Sequence, residues 1–292
     1  MIKPFIPPLP VLAALAIASV TQLTAGEPAP GIAAAASEPA VSGPNGKLDT
    51  NYGAVNRSST RGVGGAFTVP LGHRYGAQFD ALYQHGFSTN MYGIGSHFFA
   101  RDPSKGLIGI AFSGTTSQKF TDIIVGLESE YYFKQLTLGL VAGYNNYDSH
   151  VPTTFPGLAT HQSFAATRIY AAAYPMDNLM IRLEHQNRFN HNFYIATVEY
   201  QTPVKGLAIF ATGGVGENNY AHLMGGVRLY FGGDKSLKDR HRRDDPDSIN
   251  ATFIGTNSGC STTTAPDAPA PAPAPAPAAP PPPPPPQMPF PI

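Results

Sequence analysis

Residues 225–231 read Gly-Gly-Val-Arg-Leu-Tyr-Phe and alternate strictly. Val227, Leu229 and Phe231 fall on one face of an extended strand, and Gly226, Arg228 and Tyr230 on the other. One such heptapeptide is equally an ordinary amphipathic strand. The constraint comes from recurrence. Twelve segments between residues 47 and 231 alternate in this way, each near the roughly 9–11 residues that a tilted membrane-spanning strand needs. The clearest is 122–133. Ile123, Val125, Leu127 and Tyr131 share one face; Gly126, Glu128, Glu130 and Tyr132 share the other. Two carboxylates on the inner face of a soluble sheet are costly unless paired. The pattern therefore reads inside out, with the apolar face toward lipid and the polar face toward a lumen.

Composition agrees. Only 13% of the 292 residues are charged, about half the usual share. Beyond the N-terminus no apolar run approaches the roughly 18 residues of a membrane helix. In lipid that leaves a closed barrel, since only helices and barrels satisfy their own backbone there. The predicted fold is all-β: a transmembrane antiparallel up-and-down barrel of about 12 strands over 47–231. Formal net charge is zero, which argues against a nucleic-acid partner. The single cysteine, Cys260, excludes an internal disulfide.

Residues 1–25 read as a secretory signal, with Lys3, an apolar stretch over 11–20, and Leu23-Thr24-Ala25 as a cleavage site. The prolines at 4, 7, 8 and 10 are unusual for a signal, and cleavage nearer Ala36 is a second option. Residues 26–46 read as a flexible lead-in. After Phe231 the character changes: 235–243 is basic, Asp244, Asp245 and Asp247 are acidic, and 265–286 is almost wholly Ala and Pro. Such a run favours extended polyproline II or disorder, so 232–292 is expected to be a disordered periplasmic tail. Connections after even-numbered segments read as short turns, such as 102–106. Those after odd-numbered segments read as longer or more polar, with 148–162 the longest. An even strand number and this asymmetry place both chain ends in the periplasm.

With segments and turns assigned, four phrases carry a family resemblance: Ser42-Gly43-Pro44-Asn45-Gly46-Lys47, Pro70-Leu71-Gly72-His73-Arg74-Tyr75-Gly76, His97-Phe98-Phe99-Ala100-Arg101-Asp102-Pro103 and Tyr230-Phe231-Gly232-Gly233-Asp234-Lys235-Ser236-Leu237. Over residues 42–247 the chain resembles an alphaproteobacterial family of outer-membrane, porin-like β-barrels. Gly226, Leu229 and Phe231 also resemble the glycine-x-x-hydrophobic-x-aromatic signal that ends bacterial barrels. That likeness implies recognition by the barrel assembly machinery, as well as contact with outer-membrane lipid. The Pro-rich tail departs from the pattern.

Eight charges are expected to line the lumen: Asp80, Glu128, Glu130, Arg168, Arg182, Glu184, Glu199 and Arg228. They read either as a lining that sorts solutes by charge or as ion pairs that fill and stiffen the barrel. Twelve strands lie between the roughly eight that are filled by side chains and the 16–18 that hold a water channel. The inward glycines suit either reading. His150, His161, His191 and His222 lack metal-ligand spacing, and Ser96, Ser163 and His185 form no recognisable triad, so neither a metal nor a catalytic site is expected. Residues 213–216, Gly-Gly-Val-Gly, precede no helix and make no phosphate loop. No cofactor is implied. The function expected is passive passage of small hydrophilic solutes. The alternatives are a structural envelope barrel, whose tail contacts peptidoglycan or a periplasmic protein, and a barrel lipid hydrolase.

Overall fold

A computed structural model describes residues 38–150 and 160–248. Twelve strands follow one another: β1 (Asn45–Val55), β2 (Ser58–Leu71), β3 (Tyr75–Gly86), β4 (Thr89–Asp102), β5 (Gly106–Ser117), β6 (Phe120–Tyr132), β7 (Leu136–Ser149), β8 (His161–Met176), β9 (Leu179–Arg188), β10 (His191–Gln201), β11 (Leu207–Gly216) and β12 (Ala221–Phe231). A short helix, α1 (Leu237–Arg243), comes last. Every strand pairs antiparallel with its sequence neighbours, and β1 pairs with β12 from Gly46↔Phe231 to Val55↔His222, closing the barrel. Carried once round the twelve pairings, the register advances by about 14 residues along β1, which corresponds to a strand tilt of roughly 40°. Residues 213–216 belong to β11.

The alternation sets inside and outside as the sequence pattern implies. Leu127 is 56% exposed while its neighbour Glu128 is 6% exposed, so the leucine faces out and the carboxylate faces in. Aromatic side chains gather on the outer wall in two bands. Tyr52, Tyr83, Tyr92, Tyr144 and Tyr194 stand toward the end away from the chain termini, the distal end. Phe67, Tyr75, Phe98, Tyr131, Tyr200 and Phe231 stand toward the terminal end. Between the bands the wall is largely Ile, Val and Leu, with Phe79 and Phe112 at mid-strand, the arrangement that suits a bilayer flanked by its two interfaces.

Two expectations are corrected. The connections are not short at one end and long at the other. At the distal end β1–β2, β3–β4, β5–β6 and β9–β10 are joined by two residues each, and only 150–160 is long. At the terminal end the connections are just as brief, two to five residues. Pairing continues through polar Ser and Thr beyond the lipid-facing band, so the strands absorb residues that composition alone marks as loop. β2 starts at Ser58 and β4 at Thr89. Asn56-Arg57, Phe87-Ser88 and Phe189-Asn190 all have positive φ, the backbone of tight hairpin turns whose twist matches that of the strands.

The second correction concerns the flanks of the barrel. Residues 38–44 and 232–248, assigned from sequence to flexible segments, are folded into the terminal mouth. Val41 is buried against Phe99, Leu107 and Tyr132, and the Ala40 amide donates to the His73 carbonyl at 2.8 Å. Residues 1–37 and 249–292, which hold the expected signal, Cys260 and the Ala/Pro run, lie outside the described residues, as do 151–159 of the long connection.

The assignment of faces makes a testable distinction. Leu127→Arg is expected to destabilise the inserted barrel by about 2–4 kcal/mol, since it sets a cation at the lipid-facing midplane. Glu128→Gln should leave insertion intact. Urea unfolding in lipid vesicles, read by gel mobility, checks both, and equal losses would contradict the assignment.

Candidate functional site

The lumen is filled in three layers. At the distal end Val55, Met91, Phe120, Tyr147, Phe164, Phe189, Phe193, Tyr220 and Met224 form one buried apolar cluster that spans the mouth, with Leu82 and Phe87 packed against it. Phe120 and Tyr147 stack at 5.8 Å; Phe189 meets Tyr147 and Phe164 edge-on at 5.2 and 5.7 Å. Phe87 and Phe189 reach the cluster from hairpin turns at φ 55° and 53°, a conformation that costs an aromatic residue of order 1 kcal/mol. Asp122 and Asn145 lie beneath, with Arg188 paired to Asp122 and stacked on Phe189.

Halfway down lies a layer of charge. His97 bridges two carboxylates, with Nδ1 2.8 Å from Glu128 Oε2 and Nε2 3.1 Å from Asp80 Oδ2. Gln78 donates to the other oxygen of Asp80 at 2.9 Å. Tyr132 donates to Glu130 at 2.6 Å, and Tyr170 donates to it from the opposite side. The Tyr170 ring lies flat over Gly139, where any Cβ would fall 2.0 Å from the ring carbon Cζ. That glycine lets the phenol reach Glu130 and puts the ring under Arg168 and Arg182, at 4.9 and 5.6 Å. Arg168 pairs with Glu184 at 2.9 Å, and Arg182 Nε stands 3.5 Å from the same carboxylate. Across the barrel, Arg228 donates to Glu199 at 2.6 Å and reaches toward Asp49 at 3.6 Å, while Tyr230 donates to Glu199 at 2.7 Å. All eight charges expected in the lumen thus point inward, and each has a partner. Four of them, Glu130, Arg182, Glu199 and Arg228, border a cavity of about 130 Å³, together with Lys47, Asn51, Gln84, Thr197 and His222.

The third layer is the chain's own C-terminal segment. Ser236 caps α1 and accepts from the Asp239 amide at 3.2 Å. Leu237 is fully buried among Tyr170, Ala172, Tyr174, Met180, Ala208 and Tyr230. Arg242 donates to Thr137 Oγ1 and the Leu136 carbonyl at 3.2 and 3.0 Å, and Arg240 donates to the Gly233 carbonyl at 2.8 Å. His241 sits between the hydroxyls of Tyr174 and Tyr230 at 3.0 and 3.1 Å. Beyond the helix Asp244 takes up Lys235 at 2.6 Å, Asp245 pairs with Lys47, and Asp247 pairs with both Arg168 and Arg182. The segment therefore closes the terminal mouth and extends its acidic end into the charge layer.

Other candidates are not brought together. Ser96 on β4, Ser163 on β8 and His185 on β9 show no mutual contact among the described residues; His185 contacts Asn192 at 3.1 Å. His191 pairs with Glu217 at 2.9 Å, His222 with the Tyr220 hydroxyl at 2.9 Å, and His150 approaches Thr121 at 3.3 Å; His161 is exposed at the start of β8. Among the described residues no group of three His, Cys, Asp or Glu is placed to hold a metal. Of the residues likened to an assembly signal, Leu229 and Phe231 face outward. Gly226 faces inward, and a Cβ there would meet the Phe210 ring at 2.6 Å. Sequence reading missed Lys47, Asp49 and His97, and the whole ion-paired segment 235–247. Its signal was present in Ser236-Leu-Lys-Asp239, a capping pattern followed by a basic then an acidic run.

No protein-family model and no curated protein matches the chain. Solved structures do. The NanC porin aligns over 62% of this chain and 98% of its own, at 8% identity and a TM-score of 0.48. The KdgM porin in complex with disordered oligogalacturonate aligns over 63% and 98%, at 9% identity and 0.47. The outer membrane protein Omp33 of Acinetobacter baumannii aligns over 64% and 98%, at 9% identity and 0.41. Likenesses this distant say nothing of what this chain carries or binds.

The seat of α1 should respond to pH through His241. Burial lowers this imidazole below its ordinary 6.5, although Glu199 and Asp245 pull the other way and Lys47 and Arg228 add to the lowering. A base whose seated pKa is depressed binds fewer protons seated than free. Seating therefore weakens as pH falls below about 6.5 and levels off beneath the seated value. A thiol probe should label Leu237→Cys, in a Cys260→Ser background, faster at pH 5 than at pH 7.5 once each rate is divided by that of the denatured protein at the same pH, which removes the pH dependence of the thiolate itself. His241→Gln should flatten that difference.

Proposed function

We propose that this chain is an outer-membrane barrel of porin-like type that passes small hydrophilic solutes, and that its lumen is seen here closed. One observation carries the reading: a layer of charges of both signs surrounds a cavity at mid-height in the barrel. Buried ion pairs are poor stabilisers, and apolar filling of equal volume is often as stable or more so. A lumen kept only for rigidity has little use for so many such charges, whereas a path for polar solutes does. The apolar outer wall with its two aromatic bands supports the membrane, and the four turn and strand-end phrases support the likeness to alphaproteobacterial barrels. On this reading the chain is not an enzyme, both termini lie in the periplasm, and Gly226, Leu229 and Phe231 are read by the barrel assembly machinery.

Closure of both mouths favours a second reading, a structural envelope barrel whose Pro-rich segment touches peptidoglycan or a periplasmic protein. Planar-bilayer recording separates the two. The channel reading expects rare openings of the wild-type protein, lengthened roughly tenfold by Phe189→Ala, which vacates the middle of the distal cluster. Silence from both proteins supports the structural barrel. An epitope within 151–159 should be labelled on intact cells; labelling only of an insertion at 103–105 would invert the orientation.

A further inference from the structure

Arg168 and Arg182 come from adjacent strands, β8 and β9, and share the Tyr170 ring and the Glu184 carboxylate. Lys47 at the start of β1 joins Arg182 on the lining of the cavity, and Arg168 borders a smaller pocket beside it that Asp247 also lines; Glu184 is the wall acid paired to the two arginines. The balance of charge comes from the C-terminal segment. Asp245 pairs with Lys47, and Asp247 lies between the two guanidiniums. Burial alone would raise the Asp247 carboxyl, yet Arg182, Arg168 and Lys47 hold it well below the usual carboxylate range. The strand ladder does not depend on this carboxylate, since the twelve strands close through their own backbones. Asp245-Pro246-Asp247 presents two carboxylates a short, stiffened spacing apart, which is the charge pattern of a small dicarboxylate. The adjoining cavity of about 130 Å³ is of the order of protein cavities that take up a small organic molecule, room for a small organic anion once the segment has left.

We infer that Lys47, Arg168 and Arg182 form a binding site on the lumen wall for a small organic dicarboxylate, and that Asp245 and Asp247 occupy it as the chain's own competing ligand. The site rests on the reading of the lumen as a solute path and names the class of solute. Guanidinium groups suit it because they stay charged and bind carboxylates in a fixed geometry. Glu184 keeps the arginines oriented while leaving the site net cationic.

The test uses the full chain in detergent with succinate as probe, read by calorimetry. Asp245→Ala/Asp247→Ala is expected to bind succinate saturably, and the wild type roughly tenfold or more weakly, because its site is filled. Adding Arg168→Gln and Arg182→Gln should abolish binding, and methylammonium should not bind any of them. A heat-modifiable, folded Asp245→Ala/Asp247→Ala protein that does not bind succinate overturns the inference; so does binding that survives loss of both arginines. Should the double variant fail to fold, Asp247→Ala alone carries the same two outcomes. Bilayer recording of the same proteins separates the claims: succinate binding without current removes the channel and keeps the site, and current without succinate binding does the reverse.

Discussion

Everything here follows from a single constraint on the backbone. Hydrocarbon offers no partner for an open N–H or C=O, so a strand that enters lipid is stable there only when both its edges are paired. The pairing of β1 with β12 removes the last two edges. Once the sheet is closed its outer face belongs to lipid, and polar groups have only the lumen left. The same alternation that buries leucine in a soluble sandwich therefore exposes Leu127 and buries Glu128.

Closure creates a second problem inside. Charges packed into a narrow lumen are expensive unless each finds an opposite charge or a strong donor. The wall solves part of this itself, through His97 between Asp80 and Glu128, and through Arg228 with Glu199. It leaves Lys47, Arg168 and Arg182 with Glu184 alone, and the segment after β12 supplies the missing acids. The segment is held in its seat by charge, so the terminal mouth is shut by ionic contacts and the distal mouth by apolar ones. Salt and acid act on the first kind of closure far more than on the second.

Period-two alternation carried most of the fold in the sequence, since a side-chain repeat of two survives without any tertiary information. The number of strands and the opposite faces of Leu127 and Glu128 were legible for that reason. Loop lengths were not. Residues such as Ser58 and Thr89 are polar enough to read as loop, yet pair as strand beyond the lipid band. The lumen segment was missed because a helix of seven residues has too few turns to show a period. The likeness of its Asp247 to a ligand depends on Arg168 and Arg182, residues more than sixty positions away in the chain. His97 was invisible as a bridge for a similar reason: its two carboxylates come from β3 and β6.

The central claim is that residues 235–248 are part of the folded barrel. Native-state hydrogen exchange on the reconstituted full chain tests it most directly, without label or substitution. The amides of Lys238, Arg240 and Asp244 donate to Asp177, Ser236 and Arg240 and are predicted to be protected, and that of Ser42, which donates to Arg243, should slow with them. Exchange of these four amides at the rate of an unstructured peptide, while β12 stays protected, would contradict the account.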